Sequence, residues 1–235
     1  MKHPDCRDRT NSCLEHRTFA AAFRFTAGLP PYQVEWENEA LRVVRVILPP
    51  GQRAAAESSS GAVLVFLTAD LDGRMPAAEA AWQEPGRIEL ENHGPARFEA
   101  IIIQFKQSAL QGAATPAVPR AYAARGGAAA WPMYAIGWPT YGSEPMKSQT
   151  LIDRPSLSVT KERHPVTAFL DPVRVDPNDT VVVYLRGGYA WSADPWYPGA
   201  VRVHRGDVRV LPANALYTLS NAGSDPNEFI VIARR

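Results

Sequence analysis

From residue 30 onward, apolar and polar residues alternate in short stretches with a period of two, and that pattern predicts β-strands. In YQVEWENEALRVVRVILPPG, Leu41, Val43, Arg45 and Ile47 share one face; Arg42, Val44, Val46 and Leu48 share the other. Both faces are largely apolar, as in a strand packed between two layers. Pro49, Pro50 and Gly51 end it as a turn. AVLVFLTADLDG (62–73) is a second buried run that closes on Asp72-Gly73, a hairpin signal. GRIELEN (86–92) and FEAIIIQFK (98–106) follow, separated by HGPA. Short strands resume at SLSVTKER (156–163), TVVVYLRGG (180–188), AVRVHRGDVRVLP (200–212), YTLSN (217–221) and EFIVIAR (228–234). Short strands with turns at this spacing predict an all-β sandwich or barrel.

The two series run in the same order. AVLVFLTADLDG answers to TVVVYLRGG, and LENHGPARFEAIIIQF answers to LSNAGSDPNEFIVIAR. A repeat at about one domain length predicts an internal duplication. The expected organisation is an N-terminal arm at 1–28, a first barrel at 29–107, an Ala/Gly/Pro-rich connection at 108–150 and a second barrel at 151–235. Trp131, Tyr134, Trp138 and Tyr141 in the connection would be costly to leave in water, so parts of it are expected to dock.

Composition narrows the function classes. A net charge of +1 lacks the basic excess of a non-specific nucleic-acid binder, so no nucleic-acid partner is expected. No apolar run approaches the ~18 residues of a membrane helix. The start lacks the long clean apolar run of a signal peptide. The expectation is therefore a cytoplasmic protein with no membrane partner. The 21 Pro and 16 Gly leave little room for long helices. Cys6 and Cys13 stand alone near the N-terminus and do not have the spacing of a zinc site. There is no phosphate-binding glycine loop and no nucleophile elbow.

The pieces YQVEWENEALRVVRVILPPG, GAVLVFLTADLDG and ENHGPARFEAIIIQFK resemble the first domain of small bacterial cupins, over residues 31–106. GDVRVLPANALYTLSNAGSDPNEFIVIAR, within 173–235, resembles the second cupin motif and closing strand. The resemblance implies two double-stranded β-helix (jelly-roll) barrels, a bicupin arrangement. It leaves function open, because cupins serve as dioxygenases, isomerases, epimerases, storage proteins and sensors. Members of the family commonly hold a transition metal with three His and one Glu, a donor set that leaves positions open for substrate. In the first half those places fall on Glu57, Ser59, Ala62 or Val63, and Ile88. In the second half they fall on Arg174, Asp176, Thr180 and Tyr217. Neither set is a metal site, and an arginine among ligands repels a cation. No metal and no other cofactor is expected. His3, His16, His93, His164 and His204 show no His-x-His pair, and each is expected as a surface or partly buried imidazole.

Without a metal, the barrel mouths remain as places for a small molecule. Tyr217 should face the second interior, with Arg174, Asp176, Tyr184 and Trp191 near it as ligand-binding candidates for an anionic or planar molecule. Glu57 and Tyr217 are the acid/base candidates; Glu89 is the other carboxylate near the lost first site. Tyr184, Tyr189, Trp191, Trp196 and Tyr197 fill GGYAWSADPWYPG, read as a long hairpin that packs between barrels or offers a stacking platform. Ile102 stands where an outward strand position would be polar. It predicts a packed outer face, barrel on barrel or subunit on subunit, and with it a homodimer. Three functions stay open: a metal-free binding, regulatory or assembly module; a metal-independent isomerase, cyclase or lyase using Glu57 or Tyr217; and a metal-dependent dioxygenase with an irregular site.

Overall fold

A computed structural model describes residues 31–68, 77–106, 147–165, 174–192, 199–217, 219 and 221–235. The N-terminal arm with its two cysteines and most of the expected connection lie outside these residues. Positions 147–150, assigned above to the connection, instead open the first strand of the second half. Among the described residues no helix is long and apolar enough to cross a membrane.

The first half begins with a hairpin, β1 (Tyr32–Glu37) and β2 (Leu41–Leu48). The sequence pattern runs through both as one strand; Asn38 divides them, its Oδ1 accepting from Ala40 N and Leu41 N at 2.8 Å each. Next come β3 (Arg53–Ser58), β4 (Ala62–Phe66), β5 (Glu79–Gln83), β6 (Gly86–Glu91) and β7 (Phe98–Phe105). They form a five-stranded sheet in the order β1-β2-β7-β4-β5 and a separate pair, β3-β6. The second half holds β8 (Lys147–Arg154), β9 (Leu157–His164), β10 (Arg174–Val175), β11 (Thr180–Tyr184), β12 (Gly188–Ser192), β13 (Gly199–Val203), β14 (Val208–Leu211), β15 (Leu216–Tyr217) and β16 (Asn227–Arg234). Its five-stranded sheet runs β8-β9-β16-β11-β14, the same order again, with β10-β15 in the place of β3-β6. β12 and β13 form the hairpin read from GGYAWSADPWYPG.

The ladders make the correspondence residue by residue. Leu48 pairs with Phe98 as His164 pairs with Asn227, and Phe66 with Ala100 as Tyr184 with Phe229. Two asparagines do identical work. Asn92 Nδ2 donates to the carbonyls of Leu48 and Ala96 while its Oδ1 accepts from Gly94 N. Asn221 Nδ2 donates to those of Pro165 and Asp225, with a longer contact to His164, and its Oδ1 accepts from Gly223 N. Both are fully buried, so each amide answers the polar needs of a turn that water does not reach.

Each large sheet has two apolar faces. One looks into its own barrel: Val44, Val46, Leu64, Phe66, Phe98 and Ile102 in the first, Val182, Tyr184, Phe229 and Val231 in the second. The other faces meet in one shared core built from Leu41, Val43, Val63, Ile101 and Ile103 on one side and Val159, Val181, Val183, Ile230 and Ile232 on the other. The expectation placed on Ile102 is therefore corrected by one position. Ile102 points inward, and Ile101 and Ile103 carry the barrel-on-barrel packing. The apolar outer face of β7 packs within the chain, while Val34 and Trp36 on the edge strand β1 stay exposed.

The turn between β3 and β4 depends on Gly61. Its φ is +86°, and an added Cβ would lie 2.2 Å from Trp82 Cζ2 and 2.6 Å from Cη2. Its carbonyl also accepts from the buried Ser58 hydroxyl at 2.8 Å. Gly61→Ala is expected to cost about 2 kcal/mol through the left-handed backbone and the displaced indole. Urea unfolding followed by tryptophan fluorescence measures it; a change under about 0.5 kcal/mol would show that the turn rearranges freely.

Candidate functional site in the second barrel

The inward positions of the two barrels have opposite chemistry. On β2, Val46 and Leu48 face the first interior; their counterparts on β9 are Glu162 and His164. Ala56 pairs with Ile88 across β3 and β6, as Arg174 pairs with Tyr217 across β10 and β15. Two residues on from Ala56 and Arg174 stand Ser58 and Asp176, and at the head of the next strand Ala62 and Thr180. At these positions the first barrel holds hydrocarbon and one serine, and the second holds two acids, an imidazole, a guanidinium and two hydroxyls.

These groups form two hydrogen-bonded sets. Arg174 Nη1 and Nη2 donate to the two oxygens of Glu162 at 2.9 and 2.8 Å, a bidentate pair. His164 Nε2 lies 3.0 Å from Glu162 Oε2. Side-chain exposure rises along this line, from 1% at His164 through 11% at Glu162 to 24% at Arg174, so the chain of charges runs from the interior toward solvent. Burial alone would raise the Glu162 pKa; the hydrogen bonds from His164 and Arg174, with their charges, prevail and hold it at about 2. The His164 ring packs edge-on against Phe229, with centroids 4.7 Å apart. In the second set, the Tyr217 hydroxyl donates to Asp176 Oδ2, which also accepts from Thr180 Oγ1 at 2.8 Å. Burial, then the Asp176 carboxylate, pushes the Tyr217 phenol well above its ordinary pKa. The phenol therefore keeps its proton at neutral pH.

The other candidates divide. Tyr184 lies in the second interior, 1% exposed, its ring 5.9 Å from Phe229. Burial raises its pKa against the pull of Arg209. Trp191 belongs to β12, paired with Ala200; its side chain lies outside the described set. Glu57 is exposed, as the SSSG loop beside it favours, and pairs across the ladder with Arg87, while its neighbours Ala56 and Ser58 are the ones turned inward. It stands on the rim of a groove of about 220 Å³ beside Tyr32, Arg42 and Gln104. Glu89 ion-pairs with Arg87 at 2.8 Å and is likewise exposed. His93 and His204 are exposed as expected. His164 is not: it is wholly buried, and neither it nor Glu162 was expected in the site.

Known proteins place this architecture. No protein-family model matches the sequence, and no curated protein matches it. Solved structures do match. A cupin 2 conserved barrel domain protein from Leptotrichia buccalis superposes with a TM-score of 0.52 at 15% identity, over 87% of this chain and 88% of that one. Salicylate 1,2-dioxygenase from Pseudoaminobacter salicylatoxidans, in a structure with gentisate adducts, gives 0.53 at 11% identity, over 83% of this chain and 68% of that one. The chain has the cupin fold.

Within a cupin, the four places that the resemblance assigned to metal ligands in the second half are Arg174, Asp176, Thr180 and Tyr217, and the structure brings all four together. They do not fit the family's metal. The guanidinium of Arg174 takes the first place and turns its donors on Glu162, while Asp176, Thr180 and Tyr217 are bonded to one another. Among the described residues no three His, Cys, Asp or Glu side chains converge as ligands. Glu162 and His164 escaped sequence reasoning because SLSVTKERH shows no clean alternation and the imidazole lies outside both motifs. The usable signal was the asparagine repeat: the inner end of the strand before it is Leu48 in one half and His164 in the other.

Proposed function

We propose that the second barrel is a metal-independent binding site for a small molecule, and that the first is its apolar structural counterpart. The two halves are read as products of one duplication that kept the strand order and diverged inside the barrels. The observation that carries this is the paired interior. In the first barrel the same places hold Val46, Leu48, Ala56, Ala62 and Ile88, which pack in one apolar cluster. Buried charges at the matching positions cost desolvation energy that hydrocarbon does not, so a barrel serving only as a core has no use for them. Arg174 and Asp176 are the partly exposed members, and with the buried Tyr217 phenol bonded to Asp176 a guest would meet a cation, a carboxylate and a phenol.

One observation favours a catalytic version of this reading. Tyr217 donates to Asp176, and the pair is a proton donor beside a carboxylate, suited to metal-independent proton transfer. Glu57, exposed on β3 of the first half, stands apart from this pair.

Thermal-shift screening of small anionic and planar compounds tests both versions. At least one compound is expected to stabilise the native chain and to bind Tyr217→Phe and Asp176→Asn at least tenfold more weakly. Tyr217→Phe itself should stay folded and lose about 1 kcal/mol, because Asp176 keeps its bond from Thr180. Equal binding to native and variant proteins would move the site elsewhere. A compound that is chemically altered would establish the catalytic version.

A further inference from the structure

Deeper in the second barrel, three buried polar atoms have no hydrogen-bond partner among the described residues: Tyr184 Oη, His164 Nδ1 and Asn227 Oδ1. Their residues are at most 1% exposed and lie on the adjacent strands β11, β9 and β16. Leaving such groups unpaired costs about 1–3 kcal/mol each, so three together call for an occupant. The first barrel again supplies the comparison. The matching positions are Phe66, Leu48 and Phe98, and Phe66 packs on Phe98 with centroids 6.2 Å apart.

A cation stands in the same interior. Arg209 pairs with Val182 across β14 and β11 and so shares the inward face with Tyr184; its first-barrel counterpart is Ala81. Val208 and Val210, on either side, pack into the core between the barrels. Arg209 forms no salt bridge among the described residues; burial keeps the Tyr184 hydroxyl protonated, and the guanidinium beside it only partly offsets that.

The donor and acceptor roles can be assigned. Asn227 Nδ2 donates to Tyr189 O at 2.9 Å, and its Oδ1, an acceptor, lies against Gly188, where a Cβ would stand 2.6 Å from it. His164 Nε2 lies 3.0 Å from the Glu162 carboxylate and donates to it, which leaves Nδ1 as the open nitrogen of the ring. Tyr184 and Arg209 are donors. A guest that meets these groups carries one anionic group for the guanidinium fork and the phenol, and a hydroxyl or amine that pairs with the open polar atoms of His164 and Asn227.

We propose that the ligand of the second barrel is a small monocarboxylate bearing a hydroxyl or amine, its carboxylate held by Arg209 and Tyr184. This rests on the second barrel being a ligand site, and narrows what enters it. Acetate and glycolate are the probes, chloride the control, with the full chain and a carboxylate-free buffer. Saturable shifts of one arginine Nε–H resonance are expected with both acids and not with chloride, glycolate binding at least threefold tighter. Arg209→Ala, which copies the first barrel, should weaken both at least tenfold. Arg209→Lys keeps the charge without the fork and guards against a folding defect; it should fall at least threefold. Undiminished binding to both Arg209 variants, or no saturable shift in the native protein, overturns this assignment. The broader reading would still stand if screening found a compound whose binding depends on Asp176 and Tyr217.

Discussion

Arg174→Met is expected to destabilise the protein by about 3 kcal/mol at pH 7 and by less than about 1 kcal/mol near pH 2. The substitution strips a buried carboxylate of its bidentate partner and leaves Glu162 with His164 alone. The pH dependence follows from linkage. Glu162 titrates near 4.5 in the unfolded chain and at about 2 in the folded one. Its contribution is therefore present above about pH 4.5 and lost as pH falls toward 2, and a shift of this size corresponds to about 3 kcal/mol. With Arg174 gone, the folded pKa rises toward the unfolded value and that contribution shrinks. Native and variant stabilities should converge on acidification. Urea unfolding of both proteins at pH 7, 5, 4 and 3 measures the gap. A gap that stays constant with pH would mean that Arg174 acts through packing and not through the Glu162 charge.

Reading the fold from the chain worked where alternation is unambiguous. The two faces of LRVVRVIL separate in the structure as the pattern says, Leu41 and Val43 into the shared core, Val44, Val46 and Leu48 into the barrel. It failed by single residues where nothing fixes register. Placing the first motif from Gly51 put Glu57 inside; the ladder puts Ala56 opposite Ile88 and turns Glu57 out. A slip of one exchanges the faces of a strand, and the polar loop beside Glu57 gives no apolar anchor to prevent it. The same slip moved the outer-face role from Ile101 and Ile103 to Ile102. In the second half the short step from Tyr217 to Asn221 fixed the register, and Arg174 came out opposite Tyr217. His164 and Glu162 were hidden for a different reason. A polar residue on a strand reads as solvent-facing unless its partner strand is known, and the partners here, Asn227 and Phe229, lie far along the chain.

Arg45→Met is expected to cost about 3–5 kcal/mol, among the largest losses from a single substitution outside the candidate site. Arg45 joins the two barrels. Its Nε donates to Glu35, its Nη1 to Glu99 Oε1 at 2.6 Å, and its Nη2 to the carbonyl of Gly206 in the second half. Only 13% of its side chain is exposed, so removal leaves two poorly hydrated carboxylates facing one another. Gly206 is fitted to this contact: its φ is +86°, and a Cβ there would lie 2.8 Å from Arg45 Nη1 and 2.9 Å from Leu67 Cδ1. Gly206→Ala should therefore disturb the same joint from the opposite side. Combined with Arg45→Met, it should cost less than the sum of the two, because each removes the same contact. Arg45→Lys should recover little, since one ammonium on a flexible stem does not reproduce three donors held in a fixed plane. Urea unfolding of the four variants gives the comparison. Full additivity of Arg45→Met and Gly206→Ala, or near-native stability of Arg45→Lys, would show that the barrels are held by their apolar faces alone.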